Sequence, residues 1–308
     1  MKVLICGAGG LIGRALCEYL RALGYYVAAL RRVDGQLDPQ NGPCWNIAAG
    51  KIDFADFADV DIVVHLAGES IATGRWNKTK KQRIIDSRVD STHLLAMAIA
   101  GLRITPSLFI CASAIGFYGD RGDVLVDESS DAGVDGFVSK VAKRWEHACL
   151  PVTQSATRLV NLRTGLVLSR HGGALKRMLL PFKLGLGGVI GDGKQYMSWI
   201  AMEDMLRGVQ FIIEQHGAVG PINMVSPNPV TNEQFTQALG KVLHRPTRLP
   251  MSASMARFIF GQMADELLLS STKVAPTKLQ ALGFEFNYEH ITEALKSTIY
   301  DRQSTKRS

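Results

Sequence analysis

Short apolar runs alternate with helix-periodic stretches through the first half of the chain. Val3-Leu4-Ile5-Cys6 opens the pattern as a continuous apolar run of strand length, and Arg14–Leu23 follows with helical spacing of its apolar positions. The same reading predicts a strand at 26–31, a weak strand near 44–47, a strand at 61–66 and a helix at about 78–101. A strand at 107–111, a helix at about 137–149 and a strand at 157–164 complete it. Strands alternating with helices predict an α/β fold, a doubly wound parallel sheet of Rossmann type with helices on both faces. Ligands of such sheets bind beyond the carboxyl ends of the strands, so the residues after each strand are the first candidates for function.

The second half reads differently. Gly185–Gly193 is glycine-dense and precedes Gln195–Ile200, a stretch that carries Tyr196 and Trp199. A helix at 203–214 and a strand at 221–225 are expected to return to the sheet, and helices near 231–244, 252–260 and 289–299 to form a smaller lobe. The expected partition is a nucleotide-binding unit of residues 1–170 with 203–226, a mostly helical C-terminal substrate lobe of 171–202 and 227–300, and a frayed polar tail at 301–308.

Behind the first strand stands Gly7-Ala8-Gly9-Gly10-Leu11-Ile12-Gly13, so strand, glycine turn and helix follow one another directly. Glycines at 7, 10 and 13 permit a tight turn, close approach of a pyrophosphate and close helix–strand packing, and the helix N-terminus offers free N–H groups to phosphate. About twenty residues on, the second strand ends in Arg31-Arg32 where a carboxylate would bind the ribose of NAD. Guanidinium groups match the extra 2′-phosphate of NADP by forked, charge-assisted hydrogen bonds, which predicts NADP(H) as cofactor.

Composition narrows the class. The chain has 308 residues, 46% hydrophobic and 20% charged, which argues against disorder. The longest apolar candidate, Leu94–Leu102, falls far short of a membrane span, and with the opening strand at the first residues no signal peptide is expected before it. A cytoplasmic protein with no membrane partner is expected. The five cysteines, at 6, 17, 44, 111 and 149, read as buried thiols, and the seven histidines show no metal-ligand spacing, so no metal is expected. Net charge is +7, but the basic residues are dispersed. Their densest group, Arg75, Lys78, Lys80, Lys81, Arg83 and Arg88, reads as a solvated helix face. A small anionic molecule is therefore expected as partner, and no nucleic acid.

Three strand-end segments converge on the expected cleft: Ala67-Gly68-Glu69-Ser70, Ala112–Asp120 and Thr164–Val167. His65-Leu66-Ala67-Gly68 and Tyr118-Gly119, together with the glycine turn, resemble the extended short-chain dehydrogenase/reductases. Arg75-Trp76, Ser87-Arg88, Leu180-Pro181-Phe182, Trp199-Ile200 and Asn223–Pro227 narrow the resemblance to the YfcH-type epimerase family. Its C-terminal domain of unknown function is similar to Leu249–Ile299. The resemblance implies cofactor contacts at Gly7, Gly10, Leu11, Ile12 and Gly13, at Arg31 and Arg32, and at Leu66, Ala67, Gly68, Glu69, Arg88 and Val167.

The wider superfamily exchanges protons through a tyrosine and a lysine four residues later, adjacent on one helix face. None of the seven tyrosines here is followed by lysine at that spacing. Phe137 and Val141 stand in the corresponding places, with Lys140 turned about a hundred degrees away, and Ala114 stands in the usual serine position. Ser113 and Tyr118 remain as catalytic candidates, with Tyr118 alternatively part of the cleft wall. Tyr196 and Trp199 are candidate substrate contacts or, equally, core of the second lobe. Two functions are consistent with this pattern: an NADP-dependent oxidoreductase or epimerase-like enzyme on a small carbonyl or nucleotide-sugar-type substrate, and a non-catalytic NADP(H)-binding sensor.

Overall fold

The computed structural model describes residues 1–53 and 59–300, so the expected tail at 301–308 lies outside the described residues. The first half runs β1 (Lys2–Cys6), α1 (Leu11–Ala22), β2 (Tyr26–Arg32), β3 (Cys44–Asn46), β4 (Lys51–Ile52), β5 (Ile62–His65), α2 (Lys78–Ala100), β6 (Leu108–Ala114), β7 (Leu125–Val126), α3 (Phe137–His147) and β8 (Arg158–Thr164). The second runs β9 (Leu166–Leu168), α4 (Gly173–Lys183), β10 (Tyr196–Met197), β11 (Trp199–Ala201), α5 (Met202–Glu214), β12 (Gly220–Met224), β13 (Val230–Thr231), α6 (Asn232–Leu243), α7 (Ala253–Phe260), β14 (Lys273–Val274), α8 (Thr277–Ala281) and α9 (Ile291–Tyr300).

Among the described residues, eight strands form one sheet in the order β12-β8-β6-β5-β1-β2-β3-β4, parallel throughout except for the last pair. Strand β1 is buried on both faces, as a continuous apolar run in a doubly covered parallel sheet must be. Helix α1 lays Gly13, Leu16, Cys17 and Leu20 against it, the spacing of one helix face. Chain order reverses between β1 and β5, which makes that junction the switch-point crevice.

Register defines the crevice floor. Leu30, Cys6, His65 and Cys111 are aligned across β2, β1, β5 and β6, so Arg31, Gly7, Leu66 and Ala112 take the next position side by side, Gly7 and Leu66 beyond their strands and Arg31 and Ala112 still within β2 and β6. All five cysteines are buried and free.

A second core gathers Leu175, Phe182, Trp199, Phe235, Leu239 and Leu295. Helix α4 belongs to it and has no counterpart in the sequence reading, because Gly172-Gly173 and Pro181 look like breakers. Its Leu175, Leu179 and Phe182 are buried on one face, and this packing holds a helix that has neither a side-chain cap nor a proline-free interior.

Candidate cofactor crevice and its neighbouring polar network

The glycine turn is shaped by contacts that no other residue allows. Gly7 has φ +87°, and a Cβ there would lie 2.7 Å from the Ala67 nitrogen; a Cβ on Gly13 would lie 2.2 Å from the Gly7 carbonyl oxygen. The first glycine thus lets the β1 and β5 ends touch, and the third lets α1 dock on the turn. Gly10 begins α1 without a side-chain cap, whereas α2, α6 and α7 are capped by Asn77, Thr231 and Ser252. Its N–H groups remain available to an anion. Leu11 packs against Gly172, while Ile12, Leu66 and Val167 line the margin of one core.

Arg31 and Arg32 are exposed at the end of β2. Arg31 donates from Nη2 to the Asp38 carbonyl at 3.1 Å, and Arg32 pairs with the exposed Asp34 at 3.3 Å. The Arg32 pair is solvated on both sides and holds the guanidinium weakly.

The loop after β5 is held from α2. Glu69 N–H donates to Ser87 Oγ at 2.9 Å, and Arg88 Nη1 donates to the Glu69 carbonyl at 2.9 Å. Gly68 lies so close to the Arg88 guanidinium that a Cβ would meet its central carbon at 3.2 Å. Burial pulls the Arg88 pKa down to about 10. Lys80, only 7% exposed, pairs with Glu69 at 2.5 Å, and its hydrogen bond holds that carboxyl below the ordinary range. The basic group on α2 is therefore not a wholly solvated face. Its first turns pack beneath the strand-end loop, so Lys80 and Arg88 are drawn inward. His65, at the tip of β5, is fully buried; its pKa is pushed down to about 3 by burial and by Arg88, which keeps it neutral.

The two catalytic candidates lie elsewhere than expected. Strand β6 continues to Ala114, and Ser113, Arg163 and Asn223 are in register on β6, β8 and β12. Ser113 Oγ donates to Glu146 Oε1 at 2.7 Å, and Arg163 grips the same carboxylate by Nε at 2.8 Å and Nη2 at 2.9 Å. Tyr118 donates to Asn223 Oδ1 at 2.7 Å and accepts from Arg163 Nη1 at 3.0 Å. Tyr118 is completely buried and Ser113 nearly so. Their hydroxyls face this internal network rather than the cleft. Burial raises the Tyr118 pKa, the opposite of what a proton-exchanging phenol needs. Burial opposes the Arg163 charge, yet the Glu146 carboxylate outweighs it and raises its pKa. Sequence reasoning passed over this pair, although an arginine inside the apolar strand Arg158–Thr164 is itself a signal that a buried carboxylate must lie nearby.

Where a Tyr-x-x-x-Lys pair would stand, α3 presents Phe137, half-buried, and Val141, buried. Phe137 meets Trp76 edge to face at 5.2 Å, with Lys81 Nζ 5.3 Å from its ring centre. Lys140 is exposed on another face. The N-terminus of α3 is already filled: Glu266 accepts from Phe137 N–H at 2.7 Å and Val138 N–H at 2.9 Å. Of the two aromatic candidates further on, Trp199 is core, its Nε1 donating to the Asn228 carbonyl at 3.1 Å. Tyr196 is half-buried beneath Lys273.

The chain is similar to known proteins over nearly its whole length. Residues 3–225 match the NAD dependent epimerase/dehydratase family, and 251–298 match a domain of unknown function, DUF1731. The chain is 42% identical over 294 residues to the epimerase family protein Mb2239 of Mycobacterium bovis, covering 95% of this chain and 96% of that one. It superposes on the human epimerase family protein SDR39U1, solved with NADPH, with a TM-score of 0.87 and 32% identity, over 97% of this chain and 99% of that one. A UDP-glucuronic acid 4-epimerase of Bacillus cereus shares the fold at 20% identity, with a TM-score of 0.77 over 97% of this chain and 98% of that one.

Proposed function

Because this chain belongs to the NAD dependent epimerase/dehydratase family, we propose that it binds NADP(H) in the β1–β5 crevice and acts as an oxidoreductase or epimerase-like enzyme. Its substrate would be a small carbonyl or nucleotide-sugar-type molecule. The observation that carries the cofactor choice is the register that sets Arg31-Arg32 beside the glycine turn. The fit is good: a Cβ would fill the cradle at Gly7 and Gly13, and α1 begins uncapped. The NADPH in human SDR39U1 supports the same choice.

In this reading Gly7, Gly10, Leu11, Ile12 and Gly13 hold the pyrophosphate, and Arg31 with Arg32 hold the 2′-phosphate. Leu66, Ala67, Gly68 and Glu69 border the ribose side, Arg88 braces that loop from below, and Val167 closes the far margin. NADP(H), when bound, supplies hydride chemistry. Ser113 and Tyr118 act through the wall they brace and do not exchange protons with substrate. Any proton must come from another group or from water.

A second reading, a non-catalytic NADP(H) sensor, is favoured by Phe137 and Val141 in place of the relay. Mixing the purified protein and NADPH with a panel of carbonyls and nucleotide sugars separates the two. Consumption of NADPH or formation of an epimer supports the enzyme; tight binding with no turnover across the panel overturns it in favour of the sensor.

A further inference from the structure

Helix α7 turns an apolar stripe to solvent. Met255, Phe258 and Ile259, at i, i+3 and i+4, are all exposed, Phe258 by 78%, and Ala256 is the helix's buried residue. That inverts the usual arrangement of a surface helix, whose apolar face is the one it buries. Leu180 on α4 and Leu184 at its C-terminal end do the same, each 65% exposed, and Leu249 is exposed on the approach to α7.

The segments that carry these residues adjoin one another. Met251 N–H donates to the Val189 carbonyl at 2.8 Å, and Arg245 Nε to the Lys183 carbonyl at 2.8 Å, so the segment entering α7 runs along the segment leaving α4. The loop before α2 ties the other side. Arg75 donates to the Phe258 carbonyl and Arg177 to the Ala72 carbonyl.

Charge on this surface is predominantly positive. No Asp or Glu occurs from 170 to 191 or from 234 to 264, whereas the first segment carries four lysines and arginines and the second another four. Among the described residues, Arg257 is the one member of that set in an ion pair, with Asp265 at 2.8 Å. Lys176, Lys183, Arg245 and Arg248 are exposed around the leucines.

We propose that this face docks on an anionic lipid surface, with the Phe258 stripe and the α4 leucines entering the headgroup layer and the cations pairing with lipid phosphates. Exposed apolar side chains beside unpaired cations match such a surface on both counts. A second copy of the chain is a poor occupant, since a two-fold contact would set the same cations against each other. The expectation of no membrane partner rested on the lack of a spanning segment. No described helix is long and apolar enough to cross a membrane, but contact from one side requires none.

Vesicle flotation tests the proposal, with phosphatidylcholine alone against phosphatidylcholine and phosphatidylglycerol at about two to one. The full-length protein should float with the anionic vesicles and not with the neutral ones. Lys183→Gln with Arg248→Gln should weaken that partition by about 30-fold. Met255→Ser with Phe258→Ser should abolish it, and both variants should melt like the parent. Failure of the parent to float, equal flotation with neutral vesicles, or indifference to these substitutions would overturn the proposal. So would sedimentation showing a dimer that Phe258→Ser dissociates while the parent ignores vesicles.

Discussion

Helices α1 and α3 both follow strands of the sheet, and the chain treats their N-termini in opposite ways. Helix α1 begins at Gly10 with no side chain on its free N–H groups, and the exposed guanidiniums of Arg31 and Arg32 stand beside it. Helix α3 begins at Phe137 with its first N–H groups occupied by Glu266, and the polar groups beneath it are consumed by one another. Donors left open suit an external anion, whereas donors already matched suit a rigid wall. One region is thus shaped to take a ligand and the other to brace a wall.

The sharpest way to break the contrast is to open the wall. Glu146→Ala leaves the Arg163 charge buried without its carboxylate, and should cost about 3–5 kcal/mol in urea unfolding. NADPH affinity, measured where the variant is still folded, should change little. A loss of NADPH binding with stability retained would show that the two regions are one site.

Closing the cradle comes next. Gly13→Ala drives a Cβ into the Gly7 carbonyl and should cost about 3 kcal/mol with loss of NADPH binding. Gly9→Ala, in the same turn, meets open space and should change the melting behaviour by no more than about 0.5 kcal/mol. Equal effects would remove the steric account of the turn.

Acid should act on the cofactor side through His65. Its folded pKa of about 3 lies below the ordinary 6.5, so the folded protein binds fewer protons between those values. The stability of neutral His65 is fully present above about pH 6.5 and declines as pH falls toward 3. Between pH 6.5 and about 4.5 the decline should be on the order of 2 kcal/mol. His65→Asn should flatten that slope, as urea unfolding at several pH values will show.

The smallest effect is expected at the filled N-terminus. Glu266→Ala removes the cap of α3 and should cost about 1 kcal/mol. Calorimetric melting is the check, and no change would mean that water replaces the carboxylate without loss.

Legibility in the sequence followed the physics of each signal. The β1–turn–α1 unit was readable because period, glycine spacing and strand length agree locally, and Arg31-Arg32 was readable because register is short-range there. Helix α4 was not, since its stability comes from packing of Leu175 and Phe182 on a distant core that outweighs Gly173 and Pro181. The absence of the Tyr-x-x-x-Lys pair was visible by simple spacing. Where Ser113 and Tyr118 point was not, because it depends on Glu146, Arg163 and Asn223 arriving from three other elements. Lys80 and Arg88 misled for a related reason: a basic helix stretch looks solvated until a loop such as Glu69–Ser70 is known to fold over it.

The claim that the open half of the crevice is an NADP(H) site rests most directly on Arg31 and Arg32. Calorimetric titration of NADPH and NADH into the parent and into Arg31→Ala with Arg32→Ala tests it. NADPH should weaken by about 100-fold and NADH by no more than about threefold, collapsing the preference between them. Equal weakening of both nucleotides, or an unchanged preference, would contradict it.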